Sequence, residues 1–298
     1  MEELNEIVNG TLLGDACIQF DNYKYKKYFS YKLSAKDRNF LEWVKLRIKN
    51  LGIRNLWISL ENKNPIKFAL YFYINSCSYK HLLKLREKWY ILHNGKSAKI
   101  VPRDINLTPM VLLHWYLGDG CLVRRRGDQN RVPYIVLATN TFSKEDVDFL
   151  IRKLKEHDLN FYPVRYKSGF TGKGCGYCLY SKTEDGTPFR FFKLIGECPK
   201  KIADCTTGSK GIYHEIKFFK DKWPTKDDWT KILSNVKGIG KILRERREII
   251  GISKKRLIKL LGVNKDYVRK IESGRRRPSV NKLRQIMKAL DLNSLEIS

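Results

Sequence analysis

Val8-Asn9-Gly10-Thr11-Leu12-Leu13-Gly14-Asp15-Ala16-Cys17-Ile18 has an echo at Leu112-Leu113-His114-Trp115-Tyr116-Leu117-Gly118-Asp119-Gly120-Cys121-Leu122. A second matched block follows each copy in the same order: Lys36-Asp37 with Phe40-Leu41, then Glu145-Asp146 with Phe149-Leu150. Two blocks in one order read as an internal duplication. The extra residues of the second copy fall at Gly127-Asp128-Gln129-Asn130, a turn signal of the kind that absorbs insertions.

Both quoted stretches end an apolar helix in Gly-Asp. An aspartate there faces the negative end of the helix macrodipole, where cations are preferred. One such aspartate would read as a turn cap. Two at equivalent repeat positions, in a basic chain, read as a site for divalent cations built from two carboxylates and two negative helix ends. Cations so held can activate water and stabilise a phosphodiester transition state.

Outward from these helices, each half reads as helix, two strands, helix, two strands, helix. Leu4, Ile7, Val8 and Leu12 follow helical spacing, and Asp37 to Leu51 forms an amphipathic helix stopped by Gly52. Strands lie near Trp57 and Tyr71. Thr108-Pro109 is an N-cap with proline at the first helical position, and Met110 to Leu117 is apolar on every face, hence buried. Strands around Val123 and Ile135, a helix from Ser143 to His157, and strands near Val164 and Leu179 complete the second half.

The chain has 298 residues, with 59 Lys and Arg against 31 Asp and Glu, a net charge of +28. That surplus makes nucleic acid the leading class of partner. Hydrophobic residues at 42% and aromatics at 12% are enough for a core, which excludes a disordered basic tail. No apolar run reaches the roughly 18 residues that would span a bilayer, so no membrane association is expected. The acidic N-terminus lacks a signal peptide's apolar stretch, and seven cysteines suit reduced thiols. An intracellular place, cytoplasm or nucleoid (or an organellar matrix), is therefore expected.

The two signature helices, with Leu107-Thr108-Pro109-Met110 and Thr139-Asn140-Thr141-Phe142-Ser143, resemble those of single-chain LAGLIDADG homing endonucleases over roughly residues 1–205. The resemblance implies an α+β fold of two αββαββα halves related by a pseudo-twofold axis, with the signature helices packed at the interface and two curved sheets over DNA. It implies a monomer that makes a site-specific double-strand break in a long target, with Mg2+ or Mn2+ held by Asp15 and Asp119. It also implies a lysine near each scissile phosphate. Lys99 in Lys99-Ile100-Val101-Pro102 matches the family's pattern, and Lys201 is the second-half candidate, with Lys200 or a nearby lysine as its alternative. His114 stands where the family usually has a small residue, which implies a looser helix contact there. Lys24, Lys26, Arg124, Arg126, Arg131 and Arg165 are the strand and hairpin residues expected to meet double-stranded DNA. Cys175-Gly176-Tyr177-Cys178 has zinc-ligand spacing, but Cys198 and Cys205 are spaced unlike a compact zinc module, and a strand is the better reading.

From Ile239 the chain is helical in character and carries 17 Lys and Arg against 6 Asp and Glu. Leu260-Leu261-Gly262-Val263, Val268-Arg269-Lys270-Ile271-Glu272-Ser273-Gly274 and Pro278-Ser279 resemble the lambda-repressor/Cro-type helix-turn-helix. That family implies base contacts from Asn264, Lys265, Asp266 and Arg269, and phosphate contacts from Arg275, Arg276 and Arg277. The expected organisation is a first half at 1–103, a second at 104–222, a linker at 223–238, whose opening Trp223-Pro224-Thr225-Lys226-Asp227-Asp228 reads as a linker or helix start, and an all-α DNA-binding domain at 239–298. The chain begins at Met and shows no intein junction residues, so a free-standing or intron-encoded enzyme is expected. A non-catalytic transcriptional regulator on the same fold and an intron RNA maturase are the alternative readings.

Overall fold

A computed structural model describes residues 2–23, 26–35, 38–51, 56–62, 70–76, 80–93, 95–125, 130–167, 175–199, 202–203, 213–214 and 221–292. The first half runs α1 (Glu2–Leu13), β1 (Ala16–Tyr23), β2 (Lys26–Ala35), α2 (Arg38–Asn50), β3 (Leu56–Asn62), β4 (Leu70–Ser76) and α3 (Lys80–Trp89). The hairpin β5 (Tyr90–His93) and β6 (Lys96–Lys99) follows. The second half repeats the order with α4 (Pro109–Asp119), β7 (Gly120–Val123), β8 (Tyr134–Ala138), α5 (Lys144–Lys155), β9 (Phe161–Lys167), β10 (Cys175–Ser181) and α6 (Thr187–Ile195). The short pair β11 (Ile202–Ala203) and β12 (Tyr213–His214) follows. The sheets are antiparallel with the same topology, β1-β2-β4-β3 and β7-β8-β10-β9. The fold is thus the duplicated αββαββα arrangement.

Each sheet turns one face inward by simple alternation. Ile18, Tyr31, Leu33 and Ile74 fill the first core; Leu122, Ile135, Leu137 and Leu179 fill the second. Helices α1 and α4 pack against one another between the halves. Helix α4 starts at Thr108, whose hydroxyl accepts from Val111 N–H at 3.3 Å, with Pro109 at its first turn. It buries every residue from Val111 to Leu117 because α1, α6 and its own sheet enclose it.

The helix contact at His114 is tight, contrary to the looser contact expected from a large residue. A Cβ added to Gly10 would sit 2.5 Å from Val111 O and 2.7 Å from His114 Cβ. The absent side chain of Gly10 is what admits His114. The imidazole is fully buried and stacks on Trp43 at 5.1 Å between centroids. Among the described residues neither ring nitrogen has a hydrogen-bond partner, and burial pushes its pKa down to about 3, with Arg47 adding to the shift. His114 is a neutral packing group.

Of the two readings of the segment after residue 222, linker or helix start, the second holds, and the segment is built into the core. Thr225 and Asp228 form a capping box that starts α7 (Lys226–Ser234). Trp223 and Trp229 are buried, with Trp223 edge-on to Tyr116 at 5.4 Å and Phe192 within 5.9 Å of both tryptophans. The physical reason is that this stretch carries the aromatic residues that close the open side of α6.

The C-terminal part comprises α8 (Ile239–Ile249), α9 (Lys254–Leu261), α10 (Lys265–Glu272) and α11 (Val280–Ala289), with Ser253, Asn264 and Ser279 as side-chain N-caps. Gly262, at φ +57, makes the left-handed turn between α9 and α10. Arg247 pairs with Glu272 at 2.6 Å in the middle of this domain. The domain rests on the second half: Arg277 donates to Glu184 O at 2.9 Å, and Arg284 pairs with Asp227 of α7. Among the described residues no helix is long and apolar enough to cross a membrane.

Candidate functional site

Helices α1 and α4 converge at their C-terminal ends, and this brings Asp15 and Asp119 together. A Cβ on Gly14 would lie 3.6 Å from Asp119 Cγ, and one on Gly118 would lie 3.8 Å from Asp15 N. The last carbonyls of a helix have no partner inside it and carry its negative pole. Here a lysine meets the last carbonyls of α4, and another meets the carbonyls of Gly14 and Ala16 just past the end of α1. Lys99, the last residue of β6, donates to Gly14 O at 2.9 Å and Ala16 O at 3.0 Å. Lys222 donates to Leu117 O at 2.7 Å, Gly118 O at 3.2 Å and Tyr116 O at 3.3 Å.

Two aspartates and two lysines therefore share one electrostatic neighbourhood. Burial and the charge of Asp15 push Asp119 up to about 7, against the pull of Lys99 and Lys222. Burial lowers Lys99 and Lys222 to about 8 each, and Asp119 and Asp15 partly oppose that shift in both. A raised carboxylate beside a second carboxylate marks a place where added positive charge is favourable. Its donors are hard oxygens, which suit Mg2+ or Mn2+ better than a thiophilic ion. Among the described residues no group of three or more His, Cys, Asp and Glu could hold a metal, so a bound cation would complete its shell with other oxygens. Cys178 is instead hydrogen-bonded to Asn140 Oδ1 at 3.0 Å, and Cys205 lies outside the described residues.

Lys201 and its alternative Lys200 also lie outside the described residues, while Lys222 occupies the position that mirrors Lys99. Its signal in the sequence is Lys222-Trp223-Pro224, one residue shorter between lysine and proline than Lys99-Ile100-Val101-Pro102.

The expected DNA contacts are placed unevenly. Lys24 and Arg126 lie outside the described residues, and Lys26 opens β2 opposite Tyr23. Arg124 has a different task from the one expected. Its guanidinium donates to Asp228 Oδ2, Asp221 O and Trp223 O, at 2.8, 2.9 and 2.9 Å. Arg165 shares the face of β9 that carries Phe161 and pairs with Tyr177, so the register directs it away from the sheet's open face. Arg131 lines a cleft of about 450 Å³ on that open face with Arg125, Tyr134, Tyr162 and Tyr180. In the C-terminal domain Lys265, Arg269, Arg275 and Arg276 are exposed. Arg276 lies over Tyr267 at 4.8 Å and Arg269 pairs with Asp266 at 3.1 Å. The side-chain oxygen of Asn264 accepts from Tyr267 N–H at 2.8 Å, which commits it to capping α10.

Comparison with known proteins agrees with this fold. The LAGLIDADG DNA endonuclease family matches residues 5–189, and a helix-turn-helix family matches residues 243–297. An uncharacterised protein of Methanocaldococcus jannaschii is 29% identical over 156 residues, covering 52% of this chain and 56% of that protein. The cytochrome b mRNA maturase bI2 of Saccharomyces cerevisiae is 26% identical over 153 residues, covering 48% of this chain and 34% of the maturase. The chain thus spans about half and about a third of the lengths of these relatives. Among solved structures, the homing endonuclease I-WcaI bound to its DNA recognition sequence aligns over 65% of this chain and 81% of its own, with a TM-score of 0.50 and 21% identity. On the family match over most of its two halves and the second match at its end, the chain belongs to the LAGLIDADG DNA endonuclease family and carries a C-terminal helix-turn-helix domain.

Proposed function

We propose that this protein is a site-specific DNA endonuclease that cuts both strands of a long target with the help of divalent metal. The observation that carries the reading is the meeting of Asp15 and Asp119 at two helix ends, each end backed by its own lysine. A bound cation would be held by these two carboxylates, and when bound it supplies charge for the phosphate and acidifies its water. Lys99 and Lys222 hold ammonium groups beside the aspartates, where negative charge builds on a phosphate undergoing attack. The surplus of basic residues holds the DNA backbone, and the helix-turn-helix adds contacts outside the cleavage site. Both aspartates come from one chain, so one chain suffices.

Cleavage of a randomised duplex library in Mg2+ tests this directly. Asp15→Asn and Asp119→Asn should each lower double-strand cleavage at least about a hundredfold while leaving binding in EDTA within a few-fold, because asparagine keeps the size and loses the charge. Cleavage by either variant at the parent rate would overturn the site. A second reading, binding of intron RNA, is favoured by the similarity to the yeast maturase. Tight binding to a structured RNA, with no duplex DNA cut in Mg2+, would select it.

A further inference from the structure

Residues 221–223 form a strap that passes the end of α4 before entering α7, and its backbone is held to an unusual degree. Arg124 Nη1–H and Nη2–H donate to the carbonyls of Asp221 and Trp223 at 2.9 Å each. The Tyr116 hydroxyl donates to the carbonyl between them, that of Lys222. Three successive carbonyls are thus fixed by two side chains of the second half. The guanidinium is itself aimed by Asp228, which is 3% exposed and also accepts from Thr225 N–H and Oγ1–H at 2.9 and 2.8 Å. The Trp223 indole N–H is tied to Gly196 O at 3.1 Å.

The first half achieves the equivalent placement by another route. Lys99 ends a hairpin strand whose ladder pairs it with Tyr90, and Ile100 N–H donates to Trp89 O at 2.8 Å. A hairpin holds one lysine. A planar fork of donors holds the other, and such a fork fixes direction as well as distance.

We propose that Arg124, with Tyr116, is a positioning residue for Lys222, and that it acts on the cleavage of one DNA strand only. The proposal rests on the reading of Lys222 as a participant in cleavage. It differs in its consequences from the DNA-binding role that the sequence suggests for Arg124. An arginine that grips a phosphate would, when removed, weaken binding and slow both strands together, whereas a misplaced Lys222 slows one strand with binding intact.

The experiment uses the full chain and a duplex recovered from a randomised library by cleavage in Mg2+, each strand labelled separately. Single-turnover rates per strand and binding in EDTA are measured for Arg124→Met, Tyr116→Phe, Lys222→Met, Lys99→Met and the double variant of Arg124→Met with Lys222→Met. Arg124→Met should slow one strand at least about tenfold and Tyr116→Phe should slow the same strand several-fold. Lys222→Met should select that strand too, and Lys99→Met the opposite one. Binding should stay within about threefold, and the double variant should be no slower than Lys222→Met. Tyr116→Phe keeps the buried ring, so it carries the test if Arg124→Met folds poorly. Equal slowing of both strands, additivity in the double variant, or parent rates for both Arg124→Met and Tyr116→Phe while Lys222→Met is slow would overturn the clamp alone. Parent rates for Lys222→Met would overturn the role of Lys222 and the clamp with it.

Discussion

At the scale of single residues, the paired aspartates leave a thermodynamic trace that can be read without any DNA. Asp119 sits near 7 in the folded chain against an ordinary carboxylate value of 3.8. Between those values the folded state binds more protons than the unfolded one, so stability falls as pH rises from about 4 to about 7. Lys99 and Lys222, near 8 instead of 10.5, work the other way: the unfolded state binds more protons between about 8 and 10.5, and stability rises there. The metal-free protein should therefore be weakest, from these groups, between about pH 7 and 8. Thermal melts in EDTA and in Mg2+ should show cation stabilisation at pH 7.5 that is largely lost at pH 5. Asp119→Asn should flatten the fall between pH 5 and 7 and remove most of the Mg2+ effect. An equal Mg2+ shift at both pH values in that variant would disconnect the cation from Asp119. The aspartates and Lys99 were legible in the sequence because each sits inside a short local pattern. Lys222 was not, because its place beside Asp119 depends on a strap whose path is fixed by Arg124 and Tyr116, residues about a hundred positions away in the chain.

At the scale of elements, the interface between α1 and α4 turns on one missing side chain. Gly10→Ala places a methyl against Val111 O, a backbone atom that cannot step aside without moving the helix. Overpacking of this kind costs about 1–3 kcal/mol, and here it should also part the helix ends that carry the aspartates. A melt several degrees lower and a reduced cleavage rate are expected together; a parent melting temperature with parent activity would show that the helices separate without cost. The helices and paired strands of both halves were legible from period and capping signals, as were the four helices of the tail. The β5–β6 hairpin, the short β11–β12 pair and the core role of α7 were not. The β5–β6 hairpin carries an Asn94-Gly95 turn signal, but its strands are too short to show alternation. Helix α7 announces itself only by Thr225 and Asp228, and nothing local says that its tryptophans are core.

At the scale of the whole molecule, the tail is seated on one half. Arg277 reaches Glu184, and Arg284 reaches Asp227, both on the side of the second sheet. A chain ending after Lys237 keeps α7 and the aromatic cluster, so it should fold and still cut. Its affinity should fall, and its footprint should shorten only beyond the half-site covered by the second half. For every phosphate that the tail no longer neutralises, the salt dependence of binding should flatten by about 0.9 in log–log slope. Footprints and salt titrations of the two chains on one duplex decide this. Symmetric shortening would place the tail elsewhere on the DNA.

Gly10 and His114 stand at corresponding places in the repeat, each at the same distance ahead of its aspartate. A pair of first halves would set glycine against glycine and leave a hole where the imidazole now stacks. A pair of second halves would drive two buried imidazoles into the same space. The seam accepts only one copy of each, so separately expressed halves should mate with each other and refuse their own kind.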